Sequence, residues 1–150
     1  MVLGILTIEN STIYAKNIIN LRSDYGSTWQ GEIIIRNAVF KPRKDKADNI
    51  SLIGGKNYGK HNFGYTCYMP KRITLENLYI DDSNYQKNDQ NINVFSDFNP
   101  KTSNYLFEEK FHYIRTKKVF LKNVTTASGK SLKISNNKTM FKKVKIKHRR

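Results

Sequence analysis

The sequence predicts an all-β chain coiled as a right-handed parallel β-helix, a single-stranded solenoid of about four to five rungs with a long inserted loop region. Three observations lead there. An octamer of one form, apolar-x-apolar-charged-Asn followed by a short apolar or β-branched run, occurs at Leu6 to Ile13, Ile33 to Phe40, Ile73 to Ile80 and Val119 to Thr126. Aligned on Asn10, Asn37, Asn77 and Asn123, the copies place mostly apolar residues four and two positions before the Asn and one and three after it. A spacing of two on each side is the period of a strand with one buried face, and Asn enters the left-handed region at low cost, so each copy reads as strand, one-residue corner, strand. Finally, the residue before the Asn runs Glu9, Arg36, Glu76, Lys122, so stacking the copies in chain order sets opposite charges on successive rungs. An antiparallel sandwich of four strand-like octamers is the competing arrangement.

Taken in order, the first octamer is followed by a short strand at Asn17 to Leu21 and a loop from Arg22 to Gly31 that holds the only Trp. The second octamer ends at Lys41-Pro42, where Pro stops further pairing, and Lys41 to Asn49 is a charged excursion. Ile50 to Ile53 reads as a strand leading into Gly54-Gly55-Lys56-Asn57-Tyr58-Gly59-Lys60-His61. That string begins like a phosphate-binding loop but carries His61 where the magnesium-holding hydroxyl belongs, and His61 to Pro70 cannot supply the helix that must follow. Nucleotide binding is set aside on those two failures. Asp81 and Asp82 close the third octamer, and 83–116 reads as an irregular insertion rich in Asn and aromatics that folds back on the rungs. After the fourth octamer Ser128-Gly129-Lys130 turns, and Leu132 to Asn136 with Met140 to Ile146 completes a last, basic rung and tail over 130–150.

All 150 residues fit one domain. A solenoid this short needs covered ends, and Leu6 already belongs to a repeat, so the expectation is that missing N-terminal rungs or a homo-oligomer cover that end. Met1 to Leu6 has no basic flank and is too short for a signal peptide or a membrane span. One cysteine and three scattered histidines make neither a disulfide framework nor a zinc cluster, so no cofactor and no metal are expected. The net charge of +15 is uneven: residues 117–150 hold 12 of the 27 Lys and Arg and none of the 12 Asp and Glu. Such an end could hold a polyanion, or it could be a final strand with one wet face whose lysines block strand addition.

The candidate chemistry lies in the connections. Trp29, with Tyr25 and Arg22, would make a platform for a sugar ring; the alternative is that Trp29 caps the core beside Gly31. Tyr65 and Tyr68, beside His61, would line a groove or pack at a rung junction. Asp81-Asp82 is either a solvated turn or a pair of acids; as strand neighbours they point to opposite faces, so a third acid such as Asp24 or Asp97 would have to complete the set for an inverting hydrolase.

The rungs, with the strings Leu21 to Trp29, His61 to Pro70 and Ile80 to Asn84, resemble the pectate-lyase-like superfamily of right-handed β-helices, and look like its uncharacterised bacterial members. The resemblance implies a groove along one face that binds, and could cleave, polysaccharide, by glycoside hydrolase or polysaccharide lyase chemistry. It matches Asp81-Asp82 to the adjacent acids of the polygalacturonase-type hydrolases, but their Gly-His-Gly and Asn-Thr-Asp motifs have no counterpart here. The expected catalytic set is then Asp81, Asp82, Asp24 and His61, and the expected partner is a polysaccharide met outside the cell or at its surface as part of a longer secreted parent. Nucleic acid is disfavoured. The alternative is a non-enzymatic structural or polyanion-binding β-helix module that uses its basic C-terminal end.

Overall fold

The computed structural model describes residues 4–23, 30–43, 49–57, 67–85, 91–98 and 113–150. They form eleven strands: β1 (Ile5–Ala15), β2 (Ile19–Ser23), β3 (Glu32–Pro42), β4 (Ile50–Asn57), β5 (Cys67–Tyr68), β6 (Arg72–Ile80), β7 (Ile92–Phe95), β8 (Tyr113–Ile114), β9 (Lys118–Thr126), β10 (Leu132–Lys133) and β11 (Lys145–His148). Among the described residues there is no helix. The fold is all-β, and every strand pair is parallel.

The four octamers are the central strands of one sheet, ordered β1-β3-β6-β9-β11. Their register is the one the alignment on asparagine demands: Ile8 pairs with Ile35, Ile35 with Leu75 and Leu75 with Leu121. Asn10, Asn37, Asn77 and Asn123 all take positive φ, between 48 and 55°. A single left-handed residue shifts the alternation by one, so positions 33 and 35 before the corner and 38 and 40 after it all turn inward. Ile33, Ile35, Ala38 and Phe40 are buried, and so are their counterparts Ile73, Leu75, Leu78 and Ile80. The asparagines also bond one another: Asn123 Nδ2 donates to Asn77 Oδ1 at 2.9 Å and Asn77 Nδ2 to Asn37 Oδ1 at 3.1 Å.

Between octamers the chain crosses to a second parallel sheet, ordered β10-β7-β4-β2. Here Ile53 lies between Ile19 and Phe95, and Ile92 between Ile50 and Leu132. β7 corrects the reading of 83–116 as irregular: Ile92 to Phe95 is buried throughout and continues this sheet. Its four residues, flanked by Asn and Ser, carry no periodicity of their own; the neighbouring strands supply the template. A third, two-residue ladder joins β5 to β8, and the Thr116 hydroxyl beside it donates to the Pro70 carbonyl at 2.6 Å.

Toward the C-terminal end the core closes on an aromatic cluster. Phe141 stacks on Phe95 with centroids 4.6 Å apart and meets Phe98 edge-on at 5.5 Å. Phe98 is fully buried with φ at 60°, a conformation that costs a non-glycine residue about 1–3 kcal/mol. Gly55 explains how the ring is accommodated. A Cβ there would fall inside contact distance of the Phe98 ring and only 2.8 Å from the Leu21 carbonyl oxygen. Met140 and Val144 belong to the same buried core.

Two substitutions test this construction. Asn77→Ala loses both amide bonds and puts a Cβ-bearing residue without a compensating side chain at positive φ; it is expected to destabilise by about 2 kcal/mol, and Asn77→Gly, which keeps the backbone free, by about 1, measured by denaturant unfolding. Gly55→Ala should cost about 2 kcal/mol or more by the same measurement, and adding Phe98→Leu should recover only the part due to the ring, because the Leu21 carbonyl oxygen still opposes the new Cβ.

Candidate functional site: a basic outward face beside Phe120

The outward positions of the octamer sheet form columns as regular as the buried ones. One column, Glu9, Arg36, Glu76, Lys122, alternates in sign through its register, with Arg36 Nε 2.7 Å from Glu9 Oε2 and Lys122 Nζ 3.6 Å from Glu76 Oε1. These pairs are exposed and each contributes a fraction of a kcal/mol, about 0.2–1. A second charged column, separated from the first by the outward column of Thr7, Ile34, Thr74, Phe120 and Lys147, does not alternate. It runs Glu32, Arg72, Lys118, Lys145, one carboxylate to three cations. Like charges in direct register oppose pairing, so a purely structural ladder would be expected to alternate as the first one does.

Arg72 meets Glu32 as a fork, Nε to Oε1 and Nη2 to Oε2 both at 3.0 Å, and the Thr74 hydroxyl donates to Glu32 Oε1 at 2.9 Å. Burial pushes the Glu32 carboxyl up, but the bonds from Arg72 and Thr74 and the charges of Arg72 and Arg149 outweigh it and hold it below its ordinary value. Above them Phe120 points outward from β9 between two guanidiniums: Arg149 lies 3.8 Å from its ring centroid and Arg72 5.9 Å. A depression of about 150 Å³ beside it is lined by Thr74, Glu76, Phe120, Leu121, Lys122, Arg149 and Arg150. That is below the range of enclosed small-molecule sites, roughly 300–1,000 Å³, and suits a substituent of a larger ligand lying across the surface.

The site stands where the acid-free segment ends. β11 pairs with β9, so Lys145 and Lys147 join Lys118 and Lys122 on exposed positions, with Arg149 and Arg150 following. Val144 is buried and Ile146 half-buried, so the lysine alternation is that of a last strand with one wet face; its basic side chains are nonetheless concentrated at one end of the sheet. Neither Phe120 nor Arg72 was singled out in the sequence. The signal for Phe120 was present, because an aromatic between Val119 and Leu121 must face out, among lysines.

Of the acids and platforms expected from the sequence, Asp24, Tyr25, Trp29, His61 and Tyr65 lie outside the described residues. Arg22 is in β2, its backbone paired with that of Lys56, and Tyr68 is half-buried in β5. Asp81 and Asp82 are described, and both are occupied with backbone. Asp81 Oδ1 accepts from the Ser83 hydroxyl at 2.6 Å and the Ser83 N–H at 3.2 Å, and these two bonds hold its carboxyl below the ordinary range. Asp82 is 4 % exposed and accepts the Ser128 N–H at 2.9 Å, tying the turn after β6 to the turn after β9. A general acid needs a carboxyl raised toward neutrality, the opposite of what Ser83 does to Asp81. Among the described residues no three His, Cys, Asp or Glu stand together as metal ligands, and no helix is long and apolar enough to cross a membrane.

Because Glu32 is lowered on folding, its contribution to stability is present above its ordinary value of 4.5 and lost as the pH falls through the lower folded one. Glu32→Gln is therefore expected to lower stability at pH 7 by about 1 kcal/mol and to converge on the parent as the pH falls from 4.5 through the lower folded value, read by urea unfolding across the acid range.

Comparison of the chain with protein-family models, with curated proteins and with solved structures finds no match.

Proposed function

We propose that this chain is a right-handed parallel β-helix module that binds an acidic polysaccharide at its basic end without cleaving it. The β-helix reading is supported by the strict return of the chain from one parallel sheet to the other, β1, β2, β3, β4, and onward to β9, β10 and β11, each visit adding the next strand in order. The observation that carries the binding reading is the contrast between the two charged outward columns, one alternating in sign and the other gathering cations around Phe120.

An acidic polysaccharide suits such a surface because it offers carboxylates or sulfates at repeated spacing to lysines set at strand spacing, about 4.8 Å apart. Phe120, held between Arg72 and Arg149, adds an apolar ring face on which a pyranose can rest. Binding without cleavage is favoured by the state of Asp81 and Asp82, whose carboxylates hold backbone.

Heparin and polygalacturonate affinity chromatography, with dextran and duplex DNA as controls, tests this. The expected result is retention on the acidic glycans that falls steeply with salt and none on dextran. Exchanging Lys118, Lys145, Lys147 and Arg149 for Gln together should weaken binding about tenfold or more, and Phe120→Leu by a few-fold. Retention that is indifferent to these exchanges, or tighter on duplex DNA than on either glycan, would defeat the proposal, as would release of shortened polymer.

A further inference from the structure

The octamer sheet ends differently at its two edges. β11 is four residues long and carries Lys145, Lys147 and His148, the charged, short form by which natural sheets protect an edge. β1 is eleven residues long, pairs only with β3 among the described residues, and has no Lys, Arg or Pro; its one charge, Glu9, is taken by Arg36. Ile5 is 63 % exposed, Tyr14 67 % and Leu6 37 %, and Ile8 and Ile13 are only partly covered. β2 ends the second sheet on the same side.

We infer that the β1 edge is the interface of a two-fold dimer, in which β1 of one copy pairs antiparallel with β1 of a second. The corner at Asn10 dictates the register. Leu6 and Ile8 before it, and Ser11 and Ile13 after it, occupy the inward columns. The antiparallel register that sets Asn10 of each copy against Glu9 of the other matches inward with inward, Leu6 against Ile13 and Ile8 against Ser11. The same register sets Thr7 against Thr12 and Ile5 against Tyr14, so the two most exposed large apolar side chains among the described residues cover each other. The strand is thus self-complementary, as a two-fold interface requires.

The copy's own basic end is a poorer occupant. Stacking β11 on β1 in the continuing parallel register would set Lys145 over Ile5, Lys147 over Thr7 and His148 over Ile8, and leave the strand uncovered from Glu9 onward. The head-to-head dimer also places the two basic ends at opposite poles, away from each other. The inference rests on the edge and its register alone, so it stands or falls independently of what the basic end binds.

Sedimentation equilibrium on this chain should return twice its 17.5 kDa. Leu6→Lys and Thr12→Lys, both at exposed positions, should each abolish the dimer while circular dichroism and the unfolding midpoint of the monomer persist. In a Cys67→Ser background, Ile5→Cys with Tyr14→Cys should oxidise to a covalent dimer in high yield, and either cysteine alone should not. A monomer at every concentration, or a ladder of multimers trapped by Ile5→Cys with Lys145→Cys in place of the dimer, would overturn the inference.

Discussion

Everything in this molecule depends on one residue per octamer adopting a left-handed backbone. The inward and outward sides of a strand are decided by counting in twos, and Asn10, Asn37, Asn77 and Asn123 interrupt the count at the same place each time. Without the interruption the two arms of each octamer would present opposite faces, and half of the apolar residues would turn to water. Asparagine can hold the conformation because its amide reaches local and neighbouring polar groups. In the Asn37, Asn77 and Asn123 stack the compensation comes from the next copy of the same residue. A local cost is met by a long-range bond, which makes each corner dependent on its neighbours and the octamers mutually supporting.

The second sheet is under a different constraint. Its strands are short, and Ile50 to Gly54 of β4 and all four residues of β7 are buried, as parallel strands covered on both faces are. Space, not periodicity, governs there. Gly54 lies against the Asn17 amide and Gly55 against Phe98, so two positions in β4 are emptied to admit side chains from elsewhere. Asn17 uses that room to donate to both the backbone carbonyl and the hydroxyl of Ser51, at 2.9 and 2.8 Å. Phe98 uses it to reach Phe141, which brings the C-terminal segment onto the core. A glycine pair that suggests a phosphate loop on paper is, in the fold, room for an amide and a ring.

The outward face records two pressures on the same scaffold. Where charges only need to coexist, signs alternate from strand to strand and the Glu9 to Lys122 column is neutral. Toward the C-terminal end alternation stops and cations stand in register around an aromatic ring. Parallel register makes such a surface easy to build, because one position in the repeat, substituted copy by copy, yields a line of like groups at strand spacing. The same regularity leaves the first strand with a long, nearly uncharged edge whose exposed residues match themselves when the strand is reversed.

The sequence by itself determined the octamer sheet. Four asparagines, the apolar spacing around them and the Glu-Arg-Glu-Lys order specify strand, corner, face and register, because all are carried within eight residues and repeated. Only the tertiary structure decided the rest. β7 is a strand because β4 and β10 flank it, and nothing within Ile92 to Phe95 says so. Asp81 and Asp82 hold turns because Ser83 and Ser128 come to them, the second from 46 residues away. Phe120 joins Arg72 and Arg149 in one site because parallel stacking brings together residues far apart in the chain. Local pattern can declare which way a side chain faces; which distant group it meets depends on the stacking order, and that exists only once the chain has folded.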